Sequence, residues 1–159
     1  MAADRTTNTS PPPLNDVEMA AWRTFIETHN DLMHALEAAL APVGLALGDY
    51  QVLVTLSEAE QKSMRMCDLA DVLQLTPSGA TRRLDGLVKS GWVERRNSET
   101  DRRVMLAMLT PAGWDKLHSA YIPHVGSVRT HLIDLLDHSE LEALASIFGK
   151  VRAHLDARD

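Results

Sequence analysis

The chain has 159 residues, of which 45% are hydrophobic, 24% charged and only 4% aromatic, the mix of one soluble globular domain whose core is aliphatic and alanine-rich, a composition that suits helices. A formal net charge of −6 argues against a protein that coats nucleic acid indiscriminately. No apolar run approaches a bilayer span, and Cys67, the one cysteine, excludes an intrachain disulfide and a cysteine-rich metal site.

Residues 1–13 are polar, rich in Ser and Thr and end in PPP, so they read as a disordered leader. They lack the basic-then-apolar order of a signal peptide, and the expected location is the cytoplasm. Asn15 or Asp16 then caps a long helix with one apolar stripe: Trp22, Phe25, Ile26, His29, Leu32, Met33, Leu36 and Leu40 recur at steps of three and four. Pro42 and Gly44 stop it. The stripe is long for a small domain, so part of it is expected to meet something beyond its own core.

A second helix follows in LGDYQVLVTLSEAE, with Asp49 as its expected cap and Tyr50, Leu53, Val54 and Leu56 inward. The segment SMRM reads as a short strand. MCDLADVLQL is a compact helix with Met66, Leu69, Ala70 and Leu73 inward, and Cys67 at its start reads as a small buried hydrophobe. Thr76-Pro77-Ser78 opens a helix that Gly91 ends. Trp92 to Arg96 and Val104 to Leu109 form two strands joined by residues 97–101. Thr110-Pro111 starts another helix, perturbed at Pro123 and Gly126 and continuing through VRTHLIDLL. In the last one, SELEALASIFGKVRAHL, Ser139 is the expected cap with Glu142 completing a capping box. Two short helices across a tight turn, followed by a two-stranded ribbon, describe a winged helix-turn-helix in a mainly α fold with a small β wing.

Charge is concentrated where that motif needs it. Between Ser78 and Arg103 seven basic residues face four acidic ones, so this segment carries +3 and the rest −9. On a helical wheel, Ala80, Leu84, Leu87 and Val88 form the back of the helix, with Ser78, Arg82, Asp85 and Lys89 opposite. Gly79, Gly86 and Arg83 lie on one flank and Thr81 on the other. Such a front fits a duplex groove. Ser78, Gly79 and Thr81 permit close approach, and Arg82 is the candidate for a bidentate contact to guanine. Lys89 suits phosphate. Thr76 at the helix start and Arg95, Arg96, Arg102 and Arg103 on the ribbon complete the candidate DNA contacts. A wing of this kind reaches the adjacent minor groove, whose negative potential attracts arginine, and Asp101 is expected to hold a guanidinium in an extended pose.

The stretch LADVLQLTPSGATRRLDGLVKSGWVERRNSETDRRVMLAMLTPAG resembles the MarR family of bacterial transcriptional regulators, down to the Asp-x-Arg then Leu-Thr wing pattern at Asp101, Arg103, Leu109 and Thr110. The helix order matches from about Leu14 onward. The resemblance implies a homodimer, with residues 14–47 and 111–159 as dimerisation helices and residues 48–110 as the DNA-reading winged domain. It also implies a pseudo-palindromic operator, repression, and release by a small aromatic or phenolic ligand between the two lobes. Trp22, Arg23, Phe25, His29, Met33, Tyr50 and Arg129 are the candidates for lining that site, although an aromatic and Met stripe at helical spacing is more often core.

Other readings stay open. A winged-helix protein-interaction module fits the −9 outside the reading segment. A thiol-responsive regulator would use Cys67 with Arg65 nearby, and a metal-responsive one would draw on His118, His124 or His131, although no tight ligand pair stands out. No phosphate loop, metal-ligand motif or nucleophile–base signature marks an enzyme, and no cofactor is implied.

Overall fold

A computed structural model describes residues 11–157, so residues 1–10 of the expected leader lie outside the described residues; Pro11–Pro13 have no regular secondary structure. Six α-helices and three short strands follow in the order α1 (Asp16–Leu40), α2 (Leu47–Glu58), β1 (Ser63–Arg65), α3 (Met66–Val72), α4 (Pro77–Lys89), β2 (Val93–Asn97), β3 (Met105–Leu109), α5 (Pro111–His131) and α6 (His138–Asp156). The chain divides into two compact units, one ending at His34 and the other running from Ala35 onward, with the boundary inside α1. No single helix among the described residues is long and apolar enough to cross a membrane.

In the first unit, α1 begins at a reciprocal cap. The Glu18 amide donates to the Asn15 side chain at 3.0 Å, and the Asn15 amide donates to the Glu18 carboxylate at 2.8 Å, which satisfies two of the helix's orphan N–H groups. Trp22, Phe25 and His29 form a ladder of tilted rings 6.2 and 6.0 Å apart.

The second unit is built on Leu40, Leu45, Tyr50, Val52, Leu53, Leu56, Leu69, Leu84, Leu87, Val93, Ala107, Leu109 and Ala120. Gly44, in the left-handed region at φ 63°, closes the 3-10 turn after α1. Asp49 does not cap α2, which starts two residues earlier. There the Leu47 amide finds the Glu37 carboxylate at 2.7 Å, leaving the Asp49 carboxylate for another partner. Between α3 and α4, Gln74 adopts φ 51° and the Leu75 amide donates back to Ala70 at 2.9 Å. The turn is therefore tight enough to set the two helices of the motif against each other. Gly91, at φ 75°, ends α4 where the sequence places its stop.

The sheet has the order β1-β3-β2, antiparallel throughout, with Met64 opposite Ala107 and Arg95 opposite Ala107 on the other side. The expected short strand therefore joins the base of the wing. Thr110 locks the wing to α5: its hydroxyl accepts from the Gly113 amide at 3.0 Å and donates to the Gly91 carbonyl at 2.7 Å. Gly113 is obligatory here, since a Cβ would stand 2.0 Å from the Trp92 carbonyl oxygen.

Two boundaries differ from the sequence expectation. Helix α5 runs on through Pro123 and Gly126, as expected, but ends at His131 instead of continuing through Leu136, and Ile133–Leu135 form a 3-10 turn. For α6 the cap is Asp137, not Ser139. Asp137 and Glu140 make the reciprocal pair, and the Ser139 hydroxyl merely donates to Asp137 at 2.7 Å. Two overlapping capping boxes compete in this segment, and the carboxylate is the stronger acceptor. Cys67 is exposed rather than buried, its thiol 3.3 Å from the Asp68 carboxylate.

Candidate nucleic-acid interface

Helix α4 is held from behind and left open in front. Ala80, Leu84 and Leu87 are buried, whereas Val88, assigned to the same side by the wheel, lies at its margin and is 37% exposed. Thr76 caps the helix, accepting from the Gly79 amide at 3.1 Å, with Pro77 in the first turn. The Thr81 hydroxyl donates to the Pro77 carbonyl at 2.9 Å and the Ser78 hydroxyl lies 3.3 Å from that of Thr76. These short side chains are thus folded back on the first turn, which keeps the helix's N-terminal end open to close approach.

The seven basic residues separate into two groups. Arg83 turns back to Asp49 on α2, 3.1 Å away, and its guanidinium packs so closely on Gly48 that a Cβ there would stand 2.0 Å from Nη1. Arg95 reaches from β2 to α4, pairing with Asp85 at 2.6 Å and donating to the Thr81 carbonyl at 3.1 Å. Arg96 pairs with Glu94 at 2.9 Å. By contrast, Arg82, Lys89, Arg102 and Arg103 are exposed and have no ion pair among the described residues.

This division has an electrostatic consequence. Asp85 shares the front of α4 with Arg82 and Lys89 and would repel a phosphate; Arg95 offsets that charge while tying the wing to the helix. At the wing tip, Asp101 does something other than hold a guanidinium. Its carboxylate accepts the Arg103 backbone N–H at 2.9 Å, and the Ser98 hydroxyl accepts from the amides of Thr100 and Asp101. The polar residues shape the turn, and Arg102 and Arg103 project from it without a carboxylate partner among the described residues. Unpaired cations on a helix front and on the adjoining ribbon tip can contact successive stretches of one polyanion.

A MarR family model matches residues 45–105 of the chain. AbsC, a MarR family transcriptional regulator from Streptomyces coelicolor, is 38% identical and superimposes with a TM-score of 0.88 over 92% of this chain and 99% of that one. The chain belongs to the MarR family of transcriptional regulators. A second MarR family regulator from Streptomyces coelicolor, solved in complex with DNA, is 31% identical with a TM-score of 0.86, covering 91% of this chain and 92% of that one. The transcriptional repressor MprA of Escherichia coli K12 is 29% identical over 139 residues, 87% of this chain and 78% of that protein. The winged helix-turn-helix of this MarR family chain is therefore the arrangement just described, α3–α4 with the β2–β3 wing.

A cavity of about 280 Å³ lies in the second unit. Helix α2 contributes Tyr50, Val54, Ser57 and Glu58 to its wall, and α5 contributes Trp114, Leu117, His118 and Tyr121. Of the residues the sequence suggests for a ligand, Tyr50 alone is among them. Trp22, Arg23, Phe25, His29 and Met33 belong to the first unit, and Arg129 pairs with Asp134. The overlooked wall has a visible signature: positions 50, 54, 57 and 58 on one helix and 114, 117, 118 and 121 on the other follow the three-and-four spacing of a single face. Beside it, the Tyr50 and His124 rings stack at 4.3 Å. Burial lowers the His124 imidazole below its usual 6.5, and its buried Nδ1 has no hydrogen-bond partner among the described residues.

Proposed function

We propose that this MarR family chain is a homodimeric, sequence-specific DNA-binding repressor whose operator affinity falls when a small aromatic molecule enters the cavity between α2 and α5. The observation that carries the reading is the sorting of its cations. Those that brace the fold are paired, and Arg82, Lys89, Arg102 and Arg103 stand free on α4 and the wing. Arg82 is assigned the base-edge contact, Lys89 a phosphate, and Arg102 and Arg103 the adjacent minor groove, with Ser78, Gly79 and Thr81 against the duplex. Arg83 and Arg95 act as positioning residues behind this front. The DNA complex of the relative at 31% identity supports the same use of the fold, and the name of MprA supports repression.

Homodimerisation rests on apolar surface that one copy leaves uncovered. Helix α6 has no buried residue, although Ile147, Val151 and Leu155 recur along it, and Ile122 of α5 is 79% exposed. Apolar faces of this extent on a small chain mark an interface. A two-fold pair would present its reading helices to half-sites about 34–36 Å apart. Ligand response is supported by the double duty of α2. One part of this helix lines the cavity, and Asp49 near its start holds Arg83 of α4; displacing α2 therefore moves the reading helix.

The experiment is selection of bound genomic fragments, followed by stoichiometry of the purified complex and titration of the Arg103→Ala variant. Two chains per operator and at least about tenfold weaker binding by the variant are expected. One chain per operator, or an undiminished variant, rejects the reading.

A further inference from the structure

The chemistry of the cavity wall identifies its ligand more narrowly than a small aromatic molecule. Three aromatic side chains meet there, Tyr50, Trp114 and Tyr121, and no lysine or arginine is among the lining residues. The one carboxylate in the wall, Glu58 at the end of α2, has no ion pair among the described residues. Ser57 donates its hydroxyl proton to the Val54 carbonyl at 2.7 Å, so it turns only lone pairs toward a guest. The lining thus presents one carboxylate and hydroxyl lone pairs, and no lysine or arginine. Burial first, then coulombic interaction with Tyr121 and Glu58, raises the Tyr50 phenol above its ordinary 10.0, so Tyr50 lines the wall as a neutral hydroxyl.

One ring of the wall, that of Trp114, already carries a cation from outside the lining. Lys62, just beyond α2, holds its ammonium 4.0 Å from the centre of the Trp114 ring, the geometry in which a ring's quadrupole attracts positive charge. We propose that the cavity between α2 and α5 binds a small organic cation with an apolar body, its charge set among the rings of Trp114, Tyr50 and Tyr121 and balanced by Glu58. The volume of about 280 Å³ accommodates one ring and a compact ammonium head.

This assignment rests on the cavity being the effector site, but binding is read without DNA, so the two succeed or fail separately. Phenyltrimethylammonium, its uncharged isostere tert-butylbenzene and the anion benzenesulfonate are titrated into the full chain by calorimetry at pH 8. Saturable binding of the cation at least about tenfold tighter than either comparison compound is expected. Glu58→Gln should bring its affinity to within about threefold of that of tert-butylbenzene, and Glu58→Asp should restore most of the difference. Equal or tighter binding of the anion, or no saturable binding of the cation, overturns the inference even if Glu58→Gln fails to fold, since wild-type selectivity alone decides it. Cation binding that leaves operator affinity unchanged upholds the cation site and rejects only its role as effector.

Discussion

The tetrapeptides Thr76-Pro77-Ser78-Gly79 and Thr110-Pro111-Ala112-Gly113 begin two helices in the same way and serve opposite ends. In each, the threonine hydroxyl accepts from the glycine amide, at 3.1 and 3.0 Å, and proline occupies the first turn. At α5 the cap is sealed, because Thr110 also donates to Gly91 and Gly113 is pressed against the Trp92 carbonyl. At α4 the cap is open, with Ser78 exposed and a Cβ on Gly79 meeting nothing closer than the Thr76 hydroxyl at 3.0 Å. Local sequence therefore sets the cap, and tertiary surroundings decide whether a helix end becomes a joint or a site.

The widest separation between the two ends comes from adding one methyl group to each. Gly113→Ala should lose about 2–4 kcal/mol in urea denaturation, since backbone cannot yield to the new Cβ. Gly79→Ala should change stability by less than about 1 kcal/mol and register instead as weaker operator binding. Equal losses of stability would show that the two ends are not differently built.

Next in size is Gly48→Ala, which probes how the open end is held. Its Cβ would displace the Arg83 guanidinium, a flexible group, so the fold should lose only about 1 kcal/mol. Operator affinity should fall as it does in Arg83→Met, because both release α4 from Asp49. An operator affinity that survives both substitutions would remove Arg83 from its positioning role.

The smallest effect lies farther along the sealed helix, at His124. Its imidazole is lowered by burial, so the unfolded chain binds the proton more readily and the native state is favoured by keeping the ring neutral. Stability from this residue is complete above the ordinary 6.5 and declines as pH falls below it. Urea midpoints at pH 7.5 and 5.5 should therefore fall less in His124→Phe than in the wild type. An equal or steeper fall in the variant contradicts the assignment.

Much of this architecture is legible in the sequence because its signals are local and redundant. Thr-Pro starts, Gly44 and Gly91 stops and three-and-four spacing place the helices, and the apolar back of α4 is evident from Ala80, Leu84 and Leu87. Less legible is whatever depends on distant partners. Arg82 and Arg83 are adjacent and alike in sequence, yet only Arg83 meets Asp49, which is 34 positions away. Asp101 and Arg103 are rightly paired by the motif, but the bond runs to a backbone amide. The cavity escapes for a different reason. Its aromatic residues are split between α2 and α5, while the more conspicuous ring ladder of α1 draws attention to Trp22, Phe25 and His29.

Of the two exposed cations on α4 without an ion pair among the described residues, Arg82 and Lys89, it is Arg82 that is proposed to read sequence. The most direct test of that role is fluorescence anisotropy of the wild type and Arg82→Ala on the selected operator and on a scrambled duplex of the same length and salt. A loss of roughly 1–3 kcal/mol on the operator and a much smaller one on the scrambled duplex are expected. Unchanged operator affinity in Arg82→Ala, or equal losses on both duplexes, would contradict it.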